Sequence, residues 1–296
     1  MKLRGSQRVI PHLFLAPGML IFLAWMIYPL LRALQISVYD WKLLPGQVSS
    51  FVGVANYEAV FEDPIFWRAL RNTLAYAAVT VAGQMVLGLT AALLVNQALR
   101  GRIFFRTLYY FPVITSWVIV SLLFKYLFDS SRAGLVNYLL VNVLHIMKTP
   151  VGWLASPTAA WAPIMGLGIW KGIGWSMLIF LAALQTVPIE LYEVAAIDGA
   201  NGWQKLWRVT LPLIRATVIF VLVMLVIGGF QAFISIYLIT GGGPMQRTEV
   251  LLSHMYNQGF KYLKFGYGAA LSYVLAAIVV TVSFLQMKFL RRDVEV

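Results

Sequence analysis

The chain has 296 residues, of which 60% are apolar, 14% aromatic and only 11% charged. A soluble domain carries about 25% charged residues, so this composition excludes an ordinary water-soluble globule and indicates a membrane protein. The formal charge of +12 then indicates basic loops that face anionic headgroups, and we expect no nucleic-acid partner.

The chain contains no cysteine, which excludes disulfides, thiolate metal sites and cysteine nucleophiles. Its three histidines, His12, His145 and His254, are more than 100 residues apart. We therefore expect no metal site, no cofactor and no catalytic residue.

Six apolar runs, each long enough to cross the lipid core, predict six transmembrane helices in an all-α integral membrane protein. They cover residues 13–34, 73–95, 107–128, 159–187, 216–238 and 267–287. A further run at 135–147 is too short to cross and contains two Asn, so it is interpreted as a surface helix.

The basic residues predict the orientation of these helices. If the N-terminus is cytoplasmic, the inner segments hold 12 Lys and Arg in 60 residues, against 8 in 96 for the outer segments. This is the bias that the positive-inside rule expects, so both termini are predicted to be cytoplasmic.

The six predicted spans contain no Asp or Glu, which proton- and sodium-driven carriers usually keep at membrane depth. The chain also lacks a GxxxxGK[ST] phosphate-binding loop. The sequence therefore predicts a transport protein, not an enzyme, which is either powered by a partner or works downhill.

Lys171 is a basic residue inside the fourth predicted span, and two interpretations stay open. Its ammonium group either snorkels towards the outer headgroups or belongs to a substrate path. Gly168 and Gly172 lie four residues apart on the same helix face, which is typical of close helix packing.

The loop between spans four and five predicts two short helices. Pro188 suits a first helical position, and Gly199 suits the left-handed end of a helix. A second helix is expected from Trp203 to Val209, ending before Pro212. Such a helix pair forms a rigid knob that could dock into a cleft.

This loop resembles the EAA signature of binding-protein-dependent ABC importer permeases, E-A-A-x3-G-x9-I-x-L-P. The matching residues are Glu193, Val194, Ala195, Gly199, Val209, Leu211 and Pro212, with Val194 and Val209 as the two departures. Further resemblance to the carbohydrate uptake branch of the family lies in "FVGxxNY" at Phe51–Tyr57, "ALxNTL" at Ala69–Leu74, Arg106, Pro112, Gly134, Asn137, and "TxGGP" at Thr240–Pro244.

The resemblance implies a type I ABC importer transmembrane domain in a bacterial or archaeal cytoplasmic membrane. The family pattern implies a tail, first helix and outer loop at 1–72, a core permease domain at 73–290 with a coupling loop at 188–212, and a cytoplasmic tail at 291–296. The implied partners are a second homologous permease, ATPase subunits, an extracellular or periplasmic solute-binding protein, membrane lipid and a sugar. Residues implied in ATPase coupling are Glu193, Ala195, Ala196, Asp198, Gly199, Leu211 and Pro212.

Sugar sites combine amides or hydroxyls with aromatic faces that stack on the ring. Candidates for a substrate path within the spans are Lys171, Trp175, Ser176, Gln231, Ser235 and Tyr237, with Trp170 beside them. Gln231 is expected to be buried and hydrogen-bonded. The glycines at 241–243 are interpreted as a sharp turn, not as a phosphate site.

Two other functions stay open from the sequence. The first is an importer of the same architecture for glycerol-3-phosphate or another organophosphate, with Lys171 binding the anion. The second is an ATP-independent channel or carrier, which would transport without partner subunits.

Overall fold

The computed structural model describes residues 5–43, 46–97 and 101–290, with side chains from residue 12 onward. The predicted tail at 291–296 lies outside this range. The described residues form two compact units. The first contains the residues up to Pro64 and Met255–Ala276, and the second contains Ile65–His254 and the residues from Ala277 onward. The division at residue 72 that the family resemblance implies stays a prediction.

The first unit begins with a long apolar helix whose bounds contain the first predicted span. Its elements are helix α1 (Gly5–Phe22), a π-helical turn (Leu23–Ile27), α2 (Tyr28–Ser37), the antiparallel strands β1 (Tyr39–Asp40) and β2 (Ser50–Phe51), and α3 (Ala55–Glu62). Phe14 and Trp25 are more than 80% exposed in the single chain. Such an apolar surface indicates contact with lipid or another subunit.

The second unit supplies most of the remaining helices. They are α4 (Pro64–Asn96), α5 (Arg102–Ile114), α6 (Trp117–Leu127), α7 (Leu135–Tyr138), α8 (Trp161–Leu184), α9 (Ile189–Ile197), α10 (Gly202–Lys205), α11 (Leu211–Leu213), α12 (Arg215–Phe230) and α13 (Ile234–Ile239). The last elements, α14 (Leu251–Tyr256), a π-helical turn (Asn257–Lys261) and α15 (Phe265–Leu290), run through residues of both units.

Among the described residues, five helical segments are long and apolar enough to cross a membrane, and a bent pair of helices makes a sixth. Each of these segments overlaps one of the six predicted spans, so the fold class is confirmed. The surface helix predicted at 135–147 is present as α7 and a π-helical turn that ends at Val143.

The third and fifth spans are not the continuous helices that the sequence predicted. The third is divided into α5 and α6, which meet at an angle of 95°. The fifth is interrupted for three residues between Phe230 and Ile234, after the weak helix formers Gly228 and Gly229. Apolar composition predicted the length of both segments but contains no information on the direction of the backbone.

The "FVGxxNY" residues hold together the turn that follows α2. The Asn56 side-chain amide donates to the carbonyls of Ser37 and Tyr39, at 2.8 and 3.0 Å. The Tyr57 and Ser37 hydroxyls lie 2.7 Å apart, and the rings of Tyr39 and Phe51 pack edge to face. These motif residues therefore fix the local backbone.

The "ALxNTL" residues hold the backbone of the segment that leads into α14. Asn72 donates to the carbonyls of Arg247 and Glu249, at 2.9 and 2.7 Å. The Thr73 hydroxyl accepts a hydrogen bond from the backbone N–H of Leu251 at 3.0 Å. Residues 175 or more positions apart are thus joined by side-chain bonds that sequence spacing alone does not reveal.

The glycines after α13 form the sharp turn that the sequence predicted. Gly241 and Gly242 have φ angles of +62° and +85°, in the left-handed region that favours glycine. The Thr248 hydroxyl closes the turn, since it donates to the carbonyl of Gly243 at 2.6 Å and lies 2.8 Å from the Thr240 hydroxyl.

Candidate functional site

The break in the third span is the structural feature that organises the candidate site. Thr115 and Ser116 have extended backbone conformations, so α5 ends and α6 starts in a new direction. Pro112 lies in the last turn of α5, where it has no N–H to continue the helical hydrogen bonds. The end of α5 therefore presents carbonyl groups without intrahelical partners.

Lys171, on α8, caps these carbonyl groups. Its Nζ lies 2.6 Å from the carbonyl oxygens of both Pro112 and Thr115, and 3.3 Å from that of Val113. The same ammonium group lies 4.9 Å from the centre of the Trp117 ring. Lys171 is only 3% exposed, and its bonds to protein carbonyls replace the snorkelling interpretation with a capping one.

A cavity of about 350 Å³ lies beside this cap, within the second unit. Its volume is at the lower end of the range of about 300–1,000 Å³ that is typical of ligand sites. The lining combines aromatic faces, a few polar groups and glycines that leave room between helices. The lining residues are Tyr76, Thr80, Gln84, Val113, Trp117, Gly168, Lys171, Gly172, Trp175, Met224, Leu225, Gly228 and Gly229.

Two of the six predicted substrate-path residues, Lys171 and Trp175, line this cavity. Ser235 is buried behind the wall, where its hydroxyl interacts with the Tyr76 phenol. Ser176 packs against Gly88 instead.

The other candidates face elsewhere. The ring of Tyr237 stacks on Phe233, and Trp170 packs beside Phe124. Gln231 is exposed on the surface of the single chain, so the prediction that it is buried was wrong. The reason is that Gln231 directly follows the last residue of α12, at the point where the helix is interrupted before α13.

Sequence reasoning missed Tyr76, Thr80 and Gln84, which contribute one wall of the cavity. They are spaced four residues apart on α4 and therefore lie on one helix face. The Gln84 amide donates to the carbonyl of Gly168 at 3.2 Å. The argument applied to Gln231, that an amide at membrane depth needs a partner, would have found Gln84.

Small residues allow α4 to approach α8 closely at this site, as the spacing of Gly168 and Gly172 predicted. A Cβ atom at Gly168 would lie 2.5 Å from the Tyr76 hydroxyl, and one at Gly172 would overlap with the Gln84 amide. The glycine-packing interpretation is confirmed.

We expect Gly172→Ala to lower the melting temperature of the purified chain, because the added methyl group must displace Gln84 or separate the two helices. Overpacking of this kind costs about 1–3 kcal/mol. Gly166→Ala is the matched control on the same helix, since a Cβ atom there meets nothing within 4 Å. Equal melting temperatures for the two variants would contradict the close packing of α4 on α8.

The loop after α8 forms the second part of the candidate site. Helix α9 ends at Ile197, and Gly199 follows with a φ angle of +77°. The N–H of Gly199 donates to the carbonyl of Ala196, and that of Ala200 to the carbonyl of Ala195. This is a Schellman motif, and it confirms the predicted helix end. Pro188 is the residue before the first helical position, one earlier than expected.

A capping box starts the second helix of the loop. The Asn201 side chain accepts from the N–H of Gln204, and the Gln204 side chain accepts from the N–H of Asn201. The Tyr192 and Thr210 hydroxyls, 3.1 Å apart, connect the two helices. The loop is therefore a defined helix pair.

The prediction that the second helix stops before Pro212 was wrong. After α10 the chain makes a π-helical turn (Leu206–Thr210) and continues as α11 to Leu213. Pro212 is tolerated because it lies in the first turn of α11, where its missing N–H costs no helical hydrogen bond.

The outer face of α9 is exposed and carries both apolar and acidic side chains. Ile197 is 85% exposed and Val194 55% exposed. Glu193, Ala196 and Asp198 are also exposed, whereas Ala195 is half-buried. An exposed apolar face of this kind, with a rigid backbone, is typical of a protein-docking surface.

The chain matches the family model described as "binding-protein-dependent transport system inner membrane component" over residues 84–295. It belongs to this family. The lactose transport system permease of Rhizobium radiobacter is 36% identical, over 93% of this chain and 91% of its own length. The arabinooligosaccharide transport system permease of Bacillus subtilis is 34% identical, over 96% and 89%.

A solved structure shares the fold of the permease. It is that of a bacterial alginate ABC transporter in complex with an alginate pentasaccharide-bound periplasmic protein, with a TM-score of 0.84, 24% identity and coverage of 98% of this chain and 96% of the other. The type I ABC importer fold is thereby confirmed, and the permease is a multi-pass membrane subunit of an ABC importer.

Proposed function

We propose that the permease forms half of a heterodimeric path for a sugar, and that a separate ATPase drives it through the helix pair at 189–213. The observation that carries this proposal is the exposed, doubly capped loop with Glu193 and Gly199 in the positions of the EAA signature. A rigid helix pair can transmit a movement of the ATPase to α8 and α12, because a short connection joins it to each of them.

The residues of the coupling surface have distinct roles in this proposal. Glu193 supplies charge at the interface. Gly199 forms the turn after the first helix, so that the second helix can start in a new direction. Ala195 and Ala196 have small side chains, which keep the surface smooth so that the ATPase can approach closely. Asp198, Leu211 and Pro212 complete the matching pattern around the turn and at the exit of the loop.

The cavity supports a sugar as substrate. The faces of Trp117 and Trp175 can stack on a sugar ring, and the Gln84 amide can bind hydroxyl groups. Two of the similar permeases are named for lactose and arabinooligosaccharide transport, and the similar structure holds an alginate-bound periplasmic protein. A solute-binding protein on the outer side would deliver the sugar to the permease pair.

The organophosphate alternative is less well supported. It requires a free cation in the substrate path, but the Lys171 ammonium group is bonded to the carbonyls at the end of α5. The positive-inside bias supports cytoplasmic termini and a cytoplasmic coupling loop, as the ATPase proposal requires.

Reconstitution tests the proposal. We expect a second permease and an ATPase to co-purify with the permease when it is isolated from its native membrane. Vesicles that contain this complex and its binding protein should take up lactose or an arabinooligosaccharide only with ATP. Vesicles that contain the permease alone should take up neither sugar. Uptake by the permease alone would contradict the proposal and favour an ATP-independent carrier.

A further inference from the structure

The bend between α5 and α6 poses a hydrogen-bonding problem inside an apolar segment. In an unbroken helix, the carbonyls of Pro112 and Val113 would accept bonds from the N–H groups of Ser116 and Trp117. The bend removes these partners. Unsatisfied carbonyl groups are costly where no water is available, so another donor must replace them.

The third span therefore has two ways to satisfy the same carbonyls. It can form a straight helix, or it can bend and use other donors. These are the ammonium group from α8 and, for the Pro112 carbonyl, also the Thr115 hydroxyl at 2.6 Å. Lys171 provides the ammonium group with two contacts of 2.6 Å, to the carbonyls of Pro112 and Thr115. A side chain that bonds only one of two alternative forms stabilises that form.

We infer that Lys171 is a positioning residue that holds the third span in its bent form and thereby places Trp117 in the cavity wall. Val113 and Trp117 lie on opposite sides of the bend, and both line the cavity. Straightening the span would change the direction of α6, which now meets α5 at 95°, and would move the Trp117 ring from its place 4.9 Å from the Lys171 ammonium group. The inference rests on the proposed function in one respect, which is that the cavity forms part of the sugar path.

The same contacts limit what else Lys171 can bind. An ammonium group has three N–H donors. Those of Lys171 are shared among three carbonyls and the Thr115 hydroxyl, which lies 3.4 Å away. Lys171 is the one charged side chain among the described residues that line the cavity. The N–H donors of Lys171 are therefore occupied by the protein's own oxygen atoms and are not free to bind a phosphate or a carboxylate.

Electron–electron distance measurement tests the role of Lys171 without any substrate. The chain has no native cysteine, so within it spin labels attach only at cysteines introduced at Phe104 and Tyr126. Both positions are exposed, and they lie on α5 and α6. The measurement uses the permease assembled with its partner subunits in nanodiscs.

We expect Lys171→Met to lengthen the distance towards the roughly 33 Å that 22 residues of unbroken α-helix span. Lys171→Arg should keep the short distance, because a guanidinium group can also donate to several carbonyls. Lys125→Met removes an equal charge from an exposed position on α6 and should leave the distance unchanged. An unchanged distance in Lys171→Met, or an equal lengthening in Lys125→Met, would overturn the inference.

Sugar uptake tests the connection to Trp117. We expect Trp117→Ala and Lys171→Met each to lower the uptake rate by about tenfold, and the double variant to be no slower than either, because residues that act through one another are not additive. Multiplied losses would overturn the inference. Selective loss of sugar-phosphate uptake in Lys171→Met, with the short distance retained, would also overturn it.

A failure of the proposed function gives a different result. If Trp117→Ala leaves sugar uptake unchanged, the cavity does not belong to the path, and the proposed function is wrong in that respect. The distance measurement still decides whether Lys171 holds the bend.

Discussion

Gly199→Val is expected to abolish ATP-driven uptake while the permease stays in the membrane. Gly199 has a φ angle of +77°, which a β-branched residue adopts only at a cost. The cost of strain in such a position is about 1–3 kcal/mol, enough to shift the end of α9. Because the turn sets the direction between the two helices of the loop, the coupling surface would no longer match its partner.

Glu193→Ala tests the same surface without altering the backbone. Glu193 is exposed on α9, so its removal should leave the fold intact and weaken the contact with the ATPase. We expect less ATPase to co-purify and uptake to fall, while the melting temperature stays unchanged.

Gly202→Ala is the matched control for both variants. Gly202 is exposed in the same loop, lies outside the left-handed region, and has no atom within 4 Å of an added Cβ. It should retain full uptake. Unchanged uptake in both Gly199→Val and Glu193→Ala would count heavily against a coupling role for the loop.

Asn137→Ala is expected to have the largest effect on stability. Asn137 is fully buried, and its amide donates to the carbonyls of Asp129, Ser131 and Val151. Its carbonyl oxygen accepts from the Val151 N–H and the Trp153 indole. The loss of these bonds should cost about 2–4 kcal/mol, because several buried groups lose their partner at once.

Limited trypsin digestion measures this effect. Lys148 lies in the segment that Asn137 holds and is exposed, so loosening of the segment should speed cleavage there. Asn142→Ala, at an exposed position in the following π-helical turn, is the control and should be cleaved at the rate of the unchanged permease. Equal cleavage of the two variants would show that Asn137 does not hold the segment.

The same segment contains an ionisable group with a shifted pKa. Hydrogen bonds from the Ser131 hydroxyl and the Ser131 N–H hold the pKa of Asp129 below its ordinary value. Asp129 is exposed, so its charge makes only a small contribution to stability, one that is present at neutral pH and lost as the pH falls through the lowered pKa.

The coupling loop could be predicted from the sequence because its signals are local. Pro188 and Gly199, which predicted the two ends of the first helix, act within one or two turns of backbone. The wrong prediction at Pro212 also comes from a local signal. A proline in the interior of a helix interrupts it, but a proline in the first turn is well tolerated, and the local sequence does not distinguish the two positions. Only the preceding π-helical turn decides between these outcomes.

The cavity could be predicted only in part, because its contacts are distant in sequence. Lys171 bonds carbonyls 56 to 59 residues away, and Gln84 reaches Gly168 across 84 residues. Nothing in the local sequence specifies these partners.

The sequence by itself determined the membrane character of the chain and its six apolar segments. It also determined that these segments contain no Asp or Glu, and that the loop between the fourth and fifth spans carries the EAA signature. Each of these depends on composition or on short-range spacing. Only the tertiary structure decided that the third span bends, that Lys171 serves the protein's own carbonyls, and which aromatic residues share a wall. The physical reason is that hydropathy measures how favourably a segment enters lipid, whereas the direction of its backbone depends on which distant donor satisfies its carbonyl groups.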